Sequence, residues 1–293
     1  MIVAVGSDKG APGVTTLATV LGVVWPMVWQ REAGVLEADP SGADLTFRLR
    51  PASTPDLEFL APEPSLFSLA ADARTGLGGS GLGRYGQDST IGVRVIPGPI
   101  QAEQFVTVHP VWPALAQTVA GWPQVVLADL GRLQPGHAAW PLAQAATAVL
   151  ILARPSVEGL YHLRERVRQV ASALGDDRLT RNPVAVVVLA GAREYRSALQ
   201  QVEYMLAAAG SPIPVAGWMA DDPATVSVLH EAGLSRAVRA SALLRSVTDL
   251  AATLGRLWPQ LGAAGSPAVP AVAERVLPVS PRAAGEGFPV GHR

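Results

Sequence analysis

Short apolar runs punctuate this chain, and between them apolar residues recur every three or four positions. Ile2-Val3-Ala4-Val5, Val125-Val126-Leu127-Ala128, Thr147 to Ala153 and Val184 to Leu189 each read as a buried strand. Gly34-Val35-Leu36-Glu37-Ala38-Asp39-Pro40 is a further strand that ends in acid, Val93 to Ile96 runs into Pro97-Gly98-Pro99, and Ile213 to Trp218 is the last of the series. Helical spacing links Leu17, Val20, Leu21, Val24 and Val28, with Pro26 expected to end the regular helix near Trp25. A helix interrupted by Pro62 and Pro64 is predicted over 57–73. Leu160, Leu163, Val167, Val170 and Leu174 form one apolar face, and the neighbouring Arg164, Arg166 and Arg168 are assigned to solvent. Asp222 and Pro223 fit the cap and first turn of a helix. Leu243 to Leu257 gives a closing helix with a core-facing stripe.

Strands alternating with helices predict an α/β fold over 1–261: a doubly wound, mostly parallel sheet with helices on both faces. Residues 262–293 are rich in Pro, Ala and Gly and are expected to be a disordered tail. Its prolines, from Pro267 to Pro289, forbid a C-terminal amphipathic membrane anchor.

Charge and composition narrow the function. A formal net charge of −1 gives no bulk case for nucleic-acid binding. With no cysteine, disulfides, iron–sulfur clusters and thiolate zinc sites are excluded. No apolar run is long enough for a membrane span, and no secretory leader is evident, so a cytoplasmic protein is expected.

The candidate chemistry sits between the first strand and the first helix. Gly6-Ser7-Asp8-Lys9-Gly10-Ala11-Pro12-Gly13-Val14-Thr15-Thr16 is a glycine-bearing loop whose backbone N–H groups and following helix N-terminus suit a phosphate. Lys9 is the sole lysine; every other residue among the 23 Lys and Arg is arginine. A compact ammonium on a flexible stem suits a crowded phosphate site, and a solvated loop lysine is the plainer alternative. Asp129 closes an apolar strand and is followed by Leu130-Gly131, the shape of a strand whose terminal carboxylate meets a Mg²⁺ water shell. Asp39-Pro40 fits either a turn or a metal-facing acid. The G-x-G-x-x-G strings from Gly76 and Gly81 follow no strand and open no helix, so neither is a dinucleotide fingerprint.

Lys9-Gly10-Ala11-Pro12-Gly13-Val14-Thr15-Thr16 resembles the deviant Walker A motif, Lys-Gly-Gly-x-Gly-Lys-Thr-Thr, of the ParA/MinD family of P-loop ATPases. It is closest to the atypical loops of the TadZ/CpaE pilus-assembly branch. Glu37-Ala38-Asp39-Pro40-Ser41-Gly42-Ala43 is similar to the family's Asp-x-Asp-Pro-x-Gly-Asn. The resemblance implies ATP and Mg²⁺ as cofactors. It implies that Lys9 contacts phosphates across a nucleotide-sandwich homodimer, that residues 9–16 cradle the nucleotide, and that Thr15 and Asp129 flank the metal. Asp39 would lie near Mg²⁺ and the attacking water. Val14 replaces the P-loop lysine and Ala11 a glycine, so weak or absent hydrolysis is expected. An active ATPase relying on Lys9 and a nucleotide-free scaffold remain alternatives. A secretion or pilus ATPase is the partner that the resemblance suggests.

Overall fold

The computed structural model describes residues 1–8, 13–76, 81–174 and 183–262. Most of the expected tail, part of the glycine string from Gly76, and Lys9, Gly10, Ala11 and Pro12 lie outside the described residues.

The strands are β1 (Ile2–Ser7), β2 (Ala33–Glu37), β3 (Gln87–Asp88), β4 (Arg94–Ile96), β5 (Val125–Arg132), β6 (Ala148–Ala153), β7 (Val184–Ala190) and β8 (Val215–Ala220). Among the described residues they form one eight-stranded sheet in the order β3-β4-β2-β5-β1-β6-β7-β8. Only the β3–β4 pair at one edge is antiparallel. The principal helices are α1 (Val14–Trp29), α2 (Leu66–Arg74), α3 (Trp112–Ala120), α4 (Val157–Leu174), α5 (Tyr195–Ala208), α6 (Pro223–Ala232) and α7 (Ala242–Leu257).

Alternate strand residues feed two apolar layers. Ile2 and Ala4 of β1 face α2, α3, α4 and α5. Val3 and Val5 face α1 and α7. Every residue of β1 is buried, as a strand covered on both faces requires. The chain leaves β1 for β2 on one side and reaches β6 on the other, so winding reverses around β1. The crevice at the carboxyl ends of the strands opens there, where such folds bind ligands. The register sets Glu37, Asp129 and Val5 in one row beneath it.

Two helix boundaries differ from the sequence reading. α1 continues through Pro26 to Trp29. The proline costs one hydrogen bond, but Trp25 beside it is fully buried and the Trp29 indole N–H donates to the Ala251 carbonyl of α7 at 3.0 Å. Packing thus outweighs the lost bond. The helix expected over 57–73 begins only at Leu66. Ser65 starts it with a capping box: its hydroxyl accepts from the Phe67 N–H, and the Ser68 hydroxyl accepts from the Ser65 N–H. Asp222 caps α6 as expected, accepting from the Thr225 N–H at 3.0 Å. α7 lies on the core with Leu243, Leu244, Val247, Leu250 and Leu254 buried.

Candidate functional site

Gly13 precedes α1 with φ +84°, a left-handed conformation that side chains resist. A Cβ there would also stand 2.9 Å from the Met219 Cε, with Leu152 and Leu189 behind it. Glycine therefore lets the end of the loop sit down on the ends of β6, β7 and β8. Val14 is buried in the apolar layer beside α7, while Thr15 and Thr16 are half-buried at the crevice side of α1.

Asp129 lies on β5 between β1 and β2 and is fully buried. Its Oδ1 accepts from the Gly131 N–H at 3.0 Å, while its Oδ2 is buried without a hydrogen-bond partner. Burial pushes its carboxyl up to about 6, against the pull of the Thr15 hydroxyl and the Gly131 N–H. Asp39 raises it further and Arg48 opposes that. An orphaned carboxylate oxygen in a dry site is costly, and a cation relieves it.

Asp39 is half-buried, and its Oδ1 accepts from the Ser41 N–H at 2.8 Å. Its carboxylate fills the space where Gly131, at φ +56°, would carry a side chain. Thr15, Asp39 and Asp129 are thus brought together. Among the described residues no group of three His, Cys, Asp or Glu side chains is arranged around a metal. One or two carboxylates, a hydroxyl and substrate phosphate oxygens suit Mg²⁺, which keeps much of its water and seldom takes an all-protein cage. The donor set fits that ion.

Sequence reasoning missed four neighbours. Glu37 is buried beside Asp129, and its Oε1 accepts from the Asp44 and Leu45 N–H groups at 2.7 and 2.9 Å. Its Oε2 accepts from Gly98 at 3.3 Å. These bonds clamp the loop that carries Asp39 between β2 and the turn after β4. Burial pushes the Glu37 carboxyl up to about 7, with the amides opposing and Asp129 adding to the rise. His137, in the segment after β5, is held below its ordinary value by burial, and Asp39 pulls it the other way. Arg48, four residues after Asp44 and ion-paired with it, adds positive charge toward Asp129. No local pattern announces His137 or Arg48.

The fourth is Arg166, which the solvent assignment placed wrongly. It is 6% exposed and its Nε donates to the Asp8 Oδ1 at 2.6 Å. The signal was present: Arg166 is three residues from Leu163 and four from Val170, within the buried stripe of α4. Beside this pair, a cavity of about 300 Å³ lies between the end of β6 and the first turns of α4, lined by Asp8, Leu152, Arg154, Ser156 and His162 among others. Arg154 reaches Asp221 at 2.6 Å, bridging the ends of β6 and β8.

No family model and no curated protein matches the chain. Solved structures do match. A ParA family ATPase from Chlorobium tepidum superposes with a TM-score of 0.62 at 16% identity, covering 86% of this chain and 98% of its own. The cell division ATPase MinD of Pyrococcus furiosus gives 0.58 at 19%, covering 87% and 98%. The septum site-determining protein MinD of Pyrococcus horikoshii, complexed with Mg-ADP, gives 0.58 at 16%, covering 90% and 99%. The fold is that of the ParA and MinD ATPases. The doubly wound, mostly parallel sheet with helices on both faces that the sequence predicts is therefore present, and the crevice described above lies at the carboxyl ends of its strands. No helix among the described residues is long and apolar enough to cross a membrane.

Proposed function

We propose that the chain binds ATP with Mg²⁺ and works as a ParA/MinD-like positioning or assembly factor that forms a homodimer around the nucleotide, with slow or absent hydrolysis. The observation that carries this reading is the buried, unpartnered Oδ2 of Asp129 beside the Thr15 hydroxyl, at the mouth of a strand–loop–helix unit. Thr15 and Asp129 hold the metal, and Asp39 holds the water or senses the γ-phosphate. Gly13, Thr15, Thr16 and the residues from Lys9 to Pro12 cradle the phosphates, with Lys9 acting across the dimer. When bound, Mg²⁺ supplies charge neutralisation at the phosphates. Val14 brings no charge, and phosphoryl transfer depends on charge neutralisation held in place, so turnover falls by on the order of 10²-fold or more.

Among such factors the atypical loop favours a TadZ/CpaE-like role beside a secretion or pilus ATPase. The protein then works in the cytoplasm and is recruited to a pole or membrane by that partner.

Calorimetric titration of ATP with Mg²⁺ tests the reading. Saturable binding, weakened by Lys9→Ala and by omission of Mg²⁺, is expected. No binding at millimolar ATP overturns it and leaves the nucleotide-free scaffold. Multiple turnover that Lys9→Ala abolishes selects the active ATPase instead.

A further inference from the structure

Asp8 immediately precedes Lys9 in the chain. A carboxylate at the edge of an anion-binding loop opposes the loop's purpose, because it repels phosphate and competes for the neighbouring ammonium. In the structure the Asp8 carboxylate is turned toward α4, with its side chain 15% exposed. Arg166 Nε donates to its Oδ1 at 2.6 Å, and the His162 Nδ1 lies 3.6 Å from its Oδ2. The Asp8 carbonyl accepts from Arg132 Nε at 3.0 Å, which fixes the backbone at the same point. The Arg166 side chain is only 7% exposed, and its Nη1 donates to the Gln169 Oε1 at 3.1 Å. A guanidinium taken out of water to this degree is costly unless it is paired, and Asp8 is its charged partner.

We propose that Arg166, flanked by His162, neutralises the Asp8 carboxylate at the point where the chain enters the phosphate loop, so that an incoming phosphate is not repelled there. Arg166 is thus a positioning residue for anion binding, acting through Asp8. The inference rests on the nucleotide reading above. It differs from a simple brace between α4 and β1, in which both partners are needed equally.

Binding of ATP with Mg²⁺, and of inorganic pyrophosphate, by wild type, Asp8→Asn, Arg166→Ala and the double variant separates the two, with unfolding temperatures recorded for each. Arg166→Ala is expected to weaken both ligands on the order of tenfold, the size of effect one uncompensated charge has near an anion at an effective dielectric of about 20. Asp8→Asn binds at least as tightly as wild type, and the double variant returns to within about twofold of it. Asp8→Asn and the double variant being as weak as Arg166→Ala overturns the proposal in favour of the brace; so does unchanged binding by Arg166→Ala. If Arg166→Ala alone does not fold, the double variant is compared with Asp8→Asn: equal affinity supports the proposal and a large loss overturns it. Absence of binding by wild type overturns the nucleotide reading and this inference together, whereas wild-type binding indifferent to Arg166 overturns the inference alone.

Discussion

The Asp39 carboxylate occupies the place that a side chain on Gly131 would take. Gly131 also takes φ +56° and donates its N–H to Asp129. One small residue therefore sets the approach of two acids, Asp129 on β5 and Asp39 in the loop after β2. Gly131→Ala must both strain the backbone and push Asp39 away. A loss of about 1–3 kcal/mol in unfolding free energy is expected from denaturant titration. Mg²⁺-dependent ATP binding should fall further than this stability loss explains, because the metal-facing pair is displaced.

Asp129 should make the metal-free protein less stable as the pH rises. Its folded pKa of about 6 lies above the ordinary 3.8, so between these values the native state holds a proton that the unfolded chain has released. Stability then falls with increasing pH across that window, by on the order of 3 kcal/mol for this group. Glu37, raised to about 7, acts in the same direction at slightly higher pH. His137 and His230, whose values burial lowers, act in the opposite direction on the acid side of 6.5. Comparing Asp129→Asn with wild type at pH 5 and pH 8 by urea denaturation isolates the carboxylate. The variant should be the more stable at pH 8 without Mg²⁺, and the difference should shrink at pH 5.

Val14→Lys would restore the lysine of the standard loop at a buried apolar position. Burying the ammonium stem should cost about 2 kcal/mol or more in the ligand-free protein, seen as a lower unfolding temperature. ATP with Mg²⁺ should raise that temperature more in the variant than in wild type, since tighter binding stabilises by mass action. Equal shifts in the two proteins would show that the side chain at position 14 does not reach the phosphates.

Glu37→Gln keeps one acceptor oxygen but aims an amide N–H₂ at backbone N–H groups that now meet a carboxylate. A loss of about 1–3 kcal/mol is expected at pH 5, where the wild-type side chain is protonated and at its most stable. The loss should shrink at pH 8, because ionisation of the buried wild-type carboxyl lowers its stability there while the amide does not titrate. Urea midpoints at the two pH values check this.

The alternation of apolar runs with three-to-four-residue spacing made the sheet and its major helices legible, because burial on both faces leaves a strong periodic trace. Asp129 and Asp39 could be placed at the crevice for a similar reason: Asp129 stands near the end of β5 and Asp39 just after β2, and strand ends meet there. The clamp by Glu37 was not, since nothing local says whether a buried acid will face a metal or three amides. Arg166 was misread through its neighbours Arg164 and Arg168, although its spacing from Leu163 and Val170 put it in the core. Pro26 misled because a proline rule is local, whereas Trp25 and Trp29 are held by distant contacts.

The central place of β1 also bears on how the protein is made. Its first twenty residues carry the phosphate loop, yet β1 pairs with β5 and β6, more than 110 positions downstream. During synthesis the loop leaves the ribosome long before the strands that bring Asp129 to it. Such distant pairings form late, after their loop-closure entropy has been met. On the function proposed here, nucleotide therefore cannot guide the early chain. It rewards only the finished sheet, and a truncated product ending before β5 would carry the loop but no site.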